Sequence, residues 1–396
     1  MQVAVWAYPW DLFDIGVDEA LSRTTAAGAN MLSLATSYHA GRFLQPGNPK
    51  RRVYYPEDGT VYYTVDLNRW WGAEIAPQQA AMVEAEGDML AELVARRDVG
   101  GPGVSCWTVC LHNSRLGALH PAHRVRTAFG DGQVYGLCPS SSAARAYVTG
   151  MVAEIAERYQ PDRIELESPD FMGFSHGYHH EKDGLPLQPE EDFLLGVCFC
   201  AHCLARAQAA GVDGVAARNR VQAVLEAAFA RELPMRIFPD FPAAGIGAFA
   251  GEGALWDYLR WRSEPVTSLV AEARAVARAA SGGRTRVMLI DFAGSWWGGV
   301  DIAQAAKGVD GVLYCAYVQK ADEVAVALAP VRAAMAAGQD LVVGFQLFHP
   351  NVADKADLVA RVAAAGGVQG LNFYCLGLVP PPRLGWIAAA IAQGVS

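Results

Sequence analysis

The sequence predicts a parallel (β/α)8 barrel with long insertions after strands 2 and 4, and three observations carry that expectation. Eight short runs rich in β-branched and aromatic residues recur along the chain. Ala-rich stretches of helical period separate nearly all of them. No Gly-rich phosphate turn follows the first run, as an open dinucleotide-binding sheet would require. Eight strands in such alternation have one common closed solution, the barrel.

The first strand is expected at residues 3–8, and a helix at 18–27 leads to the second strand at 31–36. Residues 40–76, polar, aromatic and rich in Pro and Gly, read as an insertion before a helix at 77–95. Strand 3 at 104–111 and a helix at 141–159 follow, then strand 4 at 163–167. The longest insertion, 168–255, contains one more helix at 215–231 and precedes a helix at 256–280. Strands 5 to 8 fall at 286–291, 311–317, 341–347 and 370–375, with helices at 321–337, 354–365 and 384–393. Only 300–307 is left to supply a helix between strands 5 and 6. Gly closes several of these helices, as a C-terminal stop requires. Both insertions follow a strand, which puts them at the C-terminal mouth where barrel enzymes assemble their sites. No linker or low-complexity tail divides residues 1–396, so one elaborated domain is expected.

Composition narrows the function. With 52% of its 396 residues apolar and 18% charged, the chain can fill a large core and is not disordered. Its net charge of −9 has the wrong sign for a nucleic-acid partner. The longest uncharged stretch, 362–382, is interrupted by Gly366, Gly367, Gln369, Asn372 and three prolines, so no membrane span is expected. The chain opens on a strand-like run rather than a basic and then apolar leader, so a cytoplasmic protein is expected. Oligomerisation is left open.

Eight cysteines without a leader point to thiols or metal rather than disulfides. Cys198-Phe-Cys200-Ala-His-Cys203 puts three thiols in six residues, and Cys138 stands before Pro139 in the loop after strand 3. Barrel loops 3 and 4 are neighbours, so four thiolates could meet around one ion. A closed set of four cysteines suits structural zinc, because no position is left for a substrate. Buried free thiols are the alternative, and His202 could replace Cys138 as a ligand. Cys106, Cys110, Cys315 and Cys375 lie inside expected strands and read as core.

Several of these features occur together in a known family. Leu137-Cys138-Pro139-Ser140, a helix ending Glu157-Arg158-Tyr159, a carboxylate-bearing strand and then the three-cysteine run resemble family 42 β-galactosidases and the wider group of glycosyl-hydrolase-like barrels. The resemblance covers roughly residues 100–210, and Trp256-Asp-Tyr-Leu-Arg-Trp-Arg262 is similar to a helix of such barrels. It implies a barrel, a four-cysteine zinc site at this place and a sugar-like ligand. The sequence departs from the family at both catalytic positions. The family's acid follows an Asn after strand 4, whereas Glu167 follows Leu166. The family's nucleophilic Glu ends strand 7, whereas Gly344-Phe-Gln-Leu-Phe-His349 carries no carboxylate. That family's catalytic pair is therefore not carried over.

Chemistry in a barrel sits at the strand ends. Strand 4 ends Glu165-Leu-Glu167-Ser-Pro-Asp170, and alternation turns Glu165 and Glu167 to one face with Glu167 nearer the mouth. Glu165 is expected as a deeper support and Asp170 as a turn cap. Strand 5 ends at Asp291, followed by glycine and the Trp296-Trp297 pair. Glu167 and Asp291 are thus the expected catalytic pair, Glu167 as nucleophile or base and Asp291 as acid. Neutral hydrogen-bonding and aromatic groups ring the same mouth: Tyr38, His39, His112, Asn113, Trp296, Tyr317, Gln346, His349 and Tyr374. Such a ring suits a polyol, whose hydroxyls need polar partners and whose C–H faces need aromatic plates. The loop His176-Gly-Tyr-His179-His180-Glu181 adds three histidines as further substrate contacts or as ligands of a divalent metal. The expected function is a glycoside hydrolase acting on a carbohydrate or glycoconjugate by a two-carboxylate acid/base mechanism. The alternatives are a metal-dependent sugar isomerase or lyase, and a non-catalytic sugar-binding barrel.

Overall fold

Strands buried on both faces read as continuous apolar runs rather than alternating ones. The second barrel strand, Met31–Tyr38, is buried at every position. A computed structural model describes residues 1–176 and 180–394. Eight parallel strands close on themselves: β1 (Gln2–Ala7), β2 (Met31–Tyr38), β3 (Gly103–Val109), β4 (Arg163–Glu167), β5 (Arg286–Phe292), β6 (Gly311–Cys315), β7 (Asp340–Gln346) and β8 (Gly370–Tyr374). Each pairs with its sequence neighbours, and β8 pairs with β1, with Val3 opposite Leu371. The helices that pack outside are α1 (Val17–Ala26), α2 (Met89–Asp98), α3 (Ser142–Arg158), α4 (Ser263–Ala280), α5 (Ile302–Ala305), α6 (Ala321–Ala334), α7 (Lys355–Ala365) and α8 (Gly385–Gly394). The (β/α)8 barrel expected from the sequence is the fold.

Two expected helices are broken, each for a local reason. The stretch 77–95 is split into Ala81–Glu86 and α2 by Gly87, whose φ of +98 is costly for other residues. Asp88 then caps α2 by accepting from the Ala91 N–H at 3.0 Å. The stretch 256–280 is split at Arg262 into Ala254–Trp261 and α4. Pro265 lacks the N–H that would bond the Trp261 carbonyl and continue one helix. A short helix directly after β1, Pro9–Ile15, was not expected, although Pro at its first position is a start signal.

The connection after β2 carries a small ribbon, Phe43–Leu44 against Val53–Tyr54, and Thr60–Val61 adds antiparallel to the end of β2. A second ribbon, Arg124–Arg126 against Gly132–Leu137, follows β3. The long connection after β4 contains helices Pro189–Leu195, Ala201–Ala209 and Gly214–Phe229 before Ala254–Trp261. One apolar cluster lies between barrel and helices, and a second, including Trp6, Trp107, Met288, Ile290, Leu313 and Val342, fills the barrel. Among the described residues no helix is long and apolar enough to cross a membrane.

Candidate active site

The site is built upward from a buried ion pair. Glu165 is fully buried inside the barrel, where an unpaired carboxylate would be costly. Its Oε2 accepts from Trp6 Nε1 at 2.9 Å and Ser33 Oγ at 2.8 Å. Its Oε1 accepts from Ser105 Oγ at 2.7 Å, Arg163 Nε at 2.8 Å and Asn372 Nδ2 at 3.3 Å. Donors from β1, β2, β3, β4 and β8 thus converge on one carboxylate and tie the barrel interior together.

One step nearer the mouth on the same face is Glu167, half-buried at the end of β4. Trp107 Nε1 on β3 donates to its Oε2. Burial pushes the Glu167 carboxyl from 4.5 up to about 7; the Trp107 donor pulls it down and the charge of Glu165 pushes it further up. The chain turns immediately afterwards at Ser168, with φ +49, a conformation that costs a non-glycine residue roughly 1–2 kcal/mol. The extension of β3 fixes that turn, since Cys110 N–H donates to the Glu167 carbonyl at 2.8 Å and Leu111 N–H to the Ser168 carbonyl at 3.1 Å.

Two further carboxyls stand beside it. Asp291, buried at the end of β5, is pushed from 3.8 to about 6 by burial, against hydrogen bonds from Ser295 and the Phe292 backbone. Asp170, expected only as a turn cap, is pushed from 3.8 to about 7 by burial, with Arg262 pulling it down and the charges of Asp291 and Glu167 pushing it up. It packs so tightly on Gly298 that a Cβ there would lie 2.2 Å from Asp170 Oδ2.

Aromatic residues enclose these groups. Tyr8 OH lies 3.0 Å from Tyr38 OH and 2.5 Å from Tyr374 OH, linking β1, β2 and β8. Trp107 packs on Trp6, Tyr8, Tyr38 and Tyr374 at centroid distances of 6.1, 5.2, 5.1 and 5.9 Å. Tyr317 stacks on Tyr374 at 5.9 Å. His39 stacks on His112 at 4.0 Å, and His112 Nδ1 lies 3.3 Å from His176 Nε2. Burial, with the neighbouring His39 and His176, lowers His112 to about 2 and so keeps its imidazole neutral.

Other sequence-nominated residues are placed differently. Asn113 caps the helix Ser114–Leu119: its Oδ1 accepts from Leu116 N–H at 2.8 Å and its Nδ2 donates to the Gly59 carbonyl at 3.1 Å. Both ends of that amide are thereby engaged by the fold. Trp296 packs on Phe193 and Phe241 at 5.9 and 5.6 Å, on the side of the β4 connection. Gln346 Oε1 accepts from Asn351 Nδ2 at 2.8 Å. His349 and His180 are exposed, and His179 lies outside the described residues. Trp107 and Asp170 were missed: the first sat inside an apolar run, and the surroundings of the second come from remote segments.

Four buried cysteines, Cys138, Cys198, Cys200 and Cys203, converge and could bind a metal; their sulfurs all lie within 4.8 Å of one another. Cys138 Sγ is 3.4, 3.5 and 3.9 Å from those of Cys203, Cys200 and Cys198. Thiolates at the corners of a tetrahedron about 2.3 Å from a central ion stand about 3.8 Å apart, whereas a disulfide needs about 2.05 Å. Backbone N–H groups of Arg126 and Ser140 donate to Cys198 and Cys138 sulfurs at 3.3 and 3.4 Å. Such bonds stabilise thiolate ligands. Among the described residues no other group of three or more His, Cys, Asp or Glu side chains brings its ligand atoms together in this way.

The same fold recurs in solved structures. A β-galactosidase from the psychrophilic Marinomonas ef1 superposes with a TM-score of 0.58 at 14% identity, covering 99% of this chain and 59% of that one. The PgaB (BpsB) glycoside hydrolase domain from Bordetella bronchiseptica gives 0.58 at 13% identity, covering 100% of this chain and 99% of that one. A β-galactosidase from the Antarctic haloarchaeon Halorubrum lacusprofundi gives 0.59 at 13%, covering 99% and 57%. The chain thus spans less than two thirds of either β-galactosidase. These likenesses establish the barrel. No family profile and no curated protein matches the sequence.

Proposed function

We propose that the chain is a glycoside hydrolase acting on a carbohydrate through two carboxyl groups, Glu167 and Asp291. The observation that carries this reading is a pair of carboxyls at the ends of adjacent strands, shifted to about 7 and about 6. Such a pair can hold one proton between them near neutral pH, which is what acid-assisted cleavage of a glycosidic bond requires. The naming of the similar solved barrels as β-galactosidases and a glycoside hydrolase domain supports it.

We assign the two roles in the opposite order to that expected from sequence. Glu167, the higher, holds its proton and donates it to the departing oxygen; Asp291, the lower, is ionised and serves as base or nucleophile. Tyr38, His39, His112, His176, Tyr317 and Tyr374 surround the sugar with neutral donors, acceptors and ring faces, while Gln346 ends β7 and His349 and His180 stand further out on the mouth loops. The metal-dependent alternative is less favoured, because the loop histidines among the described residues form no converging ligand set with the carboxylates. The four cysteines are read as a structural zinc site joining the loops after β3 and β4.

Hydrolysis of a panel of nitrophenyl glycosides tests the activity; a folded protein that turns over none of them refutes it. On an active substrate, kcat/KM rises with pH through about 6 as Asp291 ionises and falls through about 7 as Glu167 loses its proton. A plateau extending well above pH 8 would contradict the assignment. Trp107→Phe removes the donor that favours the ionised form of Glu167, so the alkaline limb moves to higher pH by up to about 1 unit. An unchanged limb would mean that another group governs it.

A further inference from the structure

Arg262 joins the helix Ala254–Trp261 to α4 and is 2% exposed, a place where an uncompensated cation is costly. Its Nη1 donates to the Trp297 carbonyl at 2.5 Å. Among the described residues its Nε has no hydrogen-bond partner, and no carboxylate lies within 4.0 Å of the guanidinium. Burial pulls the guanidinium below its ordinary value, and Cys198, Asp170, Tyr258 and Cys203 draw it back up. The negative groups that balance Arg262 thus belong to two places, the four-cysteine site and the mouth.

The cysteine site has a matching need. Four thiolates around a divalent ion keep two net negative charges, which also require balance in the interior. The other arginines beside it are engaged elsewhere. Arg145, which donates to the Pro139 carbonyl, pairs with Glu272 at 2.6 Å, and Arg206, shortly after Cys203, pairs with Glu264 at 2.9 Å. The half-buried Arg126 guanidinium donates to the Pro121 and Gly130 carbonyls. Arg262 alone among these is buried without a carboxylate partner. Its helix is docked on the cysteine segment: Tyr258 stacks on Phe199 at 4.8 Å, and its OH donates to the Cys198 carbonyl at 2.6 Å. One turn on, the Arg262 N–H donates to the Tyr258 carbonyl at 2.9 Å.

The guanidinium reaches the mouth through two contacts. It lies 4.7 Å over Phe171, the neighbour of Asp170, and Phe171 N–H donates to the Gly298 carbonyl at 3.0 Å. Its bond to Trp297 holds the same turn, Ser295–Gly298, whose first residue accepts from Phe292 N–H at 2.7 Å and hydrogen-bonds Asp291. We propose that Arg262 is a positioning residue that couples metal binding at the four cysteines to the turn that holds Asp291. The bound metal site fixes the cation and the cation fixes the turn, so an ordered turn in return favours the metal. The proposal rests on the metal reading of the cysteines and not on the hydrolase reading.

The test uses zinc-loaded full-length protein, titrated with a chromogenic chelator, and amide hydrogen exchange over residues 292–300 before and after zinc removal. In wild type, removal speeds exchange in this turn by about tenfold or more, while α7 serves as the internal reference and changes little. Arg262→Met lowers zinc affinity by about tenfold or more, and its turn exchanges at one rate with and without zinc. Arg262→Lys keeps the charge and holds zinc within a few-fold of wild type. Arg260→Met, which removes an exposed cation from the same helix, changes neither reading. Thermal melts establish folding; should Arg262→Met fail to fold, the wild-type exchange and the Arg262→Lys affinity still decide. The proposal is overturned if the wild-type turn is indifferent to zinc or responds no more than α7. It is equally overturned if folded Arg262→Met holds zinc as tightly as wild type, or if Arg262→Lys loses zinc affinity by tenfold. Zinc bound with an affinity independent of Arg262 refutes the coupling alone, whereas wild-type protein that takes up no zinc refutes the metal reading itself.

Discussion

Glu167→Gln lowers kcat on a glycoside with a sugar or alkyl leaving group by about 10³-fold or more, with KM within a few-fold of wild type. The amide keeps the size of the side chain and still accepts from Trp107 Nε1, so the fold is retained. It can neither deliver a proton nor take one up. If Glu167 is the acid, the loss shrinks as the leaving group becomes more acidic, because a good leaving group needs little protonation. A loss of the same size for every leaving group would assign Glu167 as nucleophile or base instead, and a wild-type rate would remove it from the chemistry. The same variant carries a stability signature. In the fold the carboxyl is pushed from 4.5 to about 7, so the native state holds its proton where the unfolded chain has lost it. The penalty for ionising it builds as pH rises from about 4.5 to about 7 and stays constant above. Glu167→Gln is therefore more stable than wild type at pH 8, by about 1–2 kcal/mol after allowance for partial exposure, and equal to it at pH 4. Thermal melts at the two pH values check this.

Much of the scaffold was legible because burial writes itself into the sequence. A strand such as β2, enclosed by neighbours on both faces, is built from apolar and small hydroxyl residues without a charge, and the spacing of eight such runs names the barrel. The three-cysteine run was legible for a chemical reason: thiols this dense are hard to explain as packing alone. Broken helices were legible in principle, since Gly87 and Pro265 are both local breakers. So was the role of Asn113, an N-cap type standing one residue before a helix, although its place after a strand end suggested substrate contact instead. The site itself was less legible. Glu167 could be found by parity, but its proton affinity depends on Trp107 and Glu165 around it. Asp170 reads as a turn residue until Arg262 and the Gly298 backbone are brought against it from more distant segments. The Tyr8, Tyr38 and Tyr374 hydroxyl contacts join the two ends of the chain, which no local pattern encodes.

Cys200→Ser is expected to lower metal content from one zinc per chain to a small fraction of that, and to lower Tm by on the order of 10 °C. The reason lies in what the four sulfurs join. Cys138 follows the ribbon strand Gly132–Leu137 after β3, whereas Cys198, Cys200 and Cys203 lie in the connection after β4. An ion held by all four therefore closes a loop of some sixty residues across two mouth segments, and binding energy spent on the ion becomes folding energy. Four thiols buried within 4.8 Å of one another have weak mutual attraction without an ion; as thiolates around a dication half of their charge is neutralised, and N–H donors to sulfur offset part of the rest. The surroundings agree with that demand, since the Arg126 and Ser140 N–H groups donate to sulfur and Tyr258 OH donates to the Cys198 carbonyl at 2.6 Å. Cys106→Ala is the control: its thiol is buried in β3 outside the sulfur cluster, so its loss costs packing but leaves the metal content unchanged. Elemental analysis of the purified proteins, thiol titration of the native fold and thermal melts with and without a chelator read the difference. If wild-type protein carries no zinc and cannot be loaded with it, or if Cys200→Ser keeps both its zinc and its Tm, the four cysteines are buried thiols and the rigidity of the mouth comes from its hydrogen bonds alone.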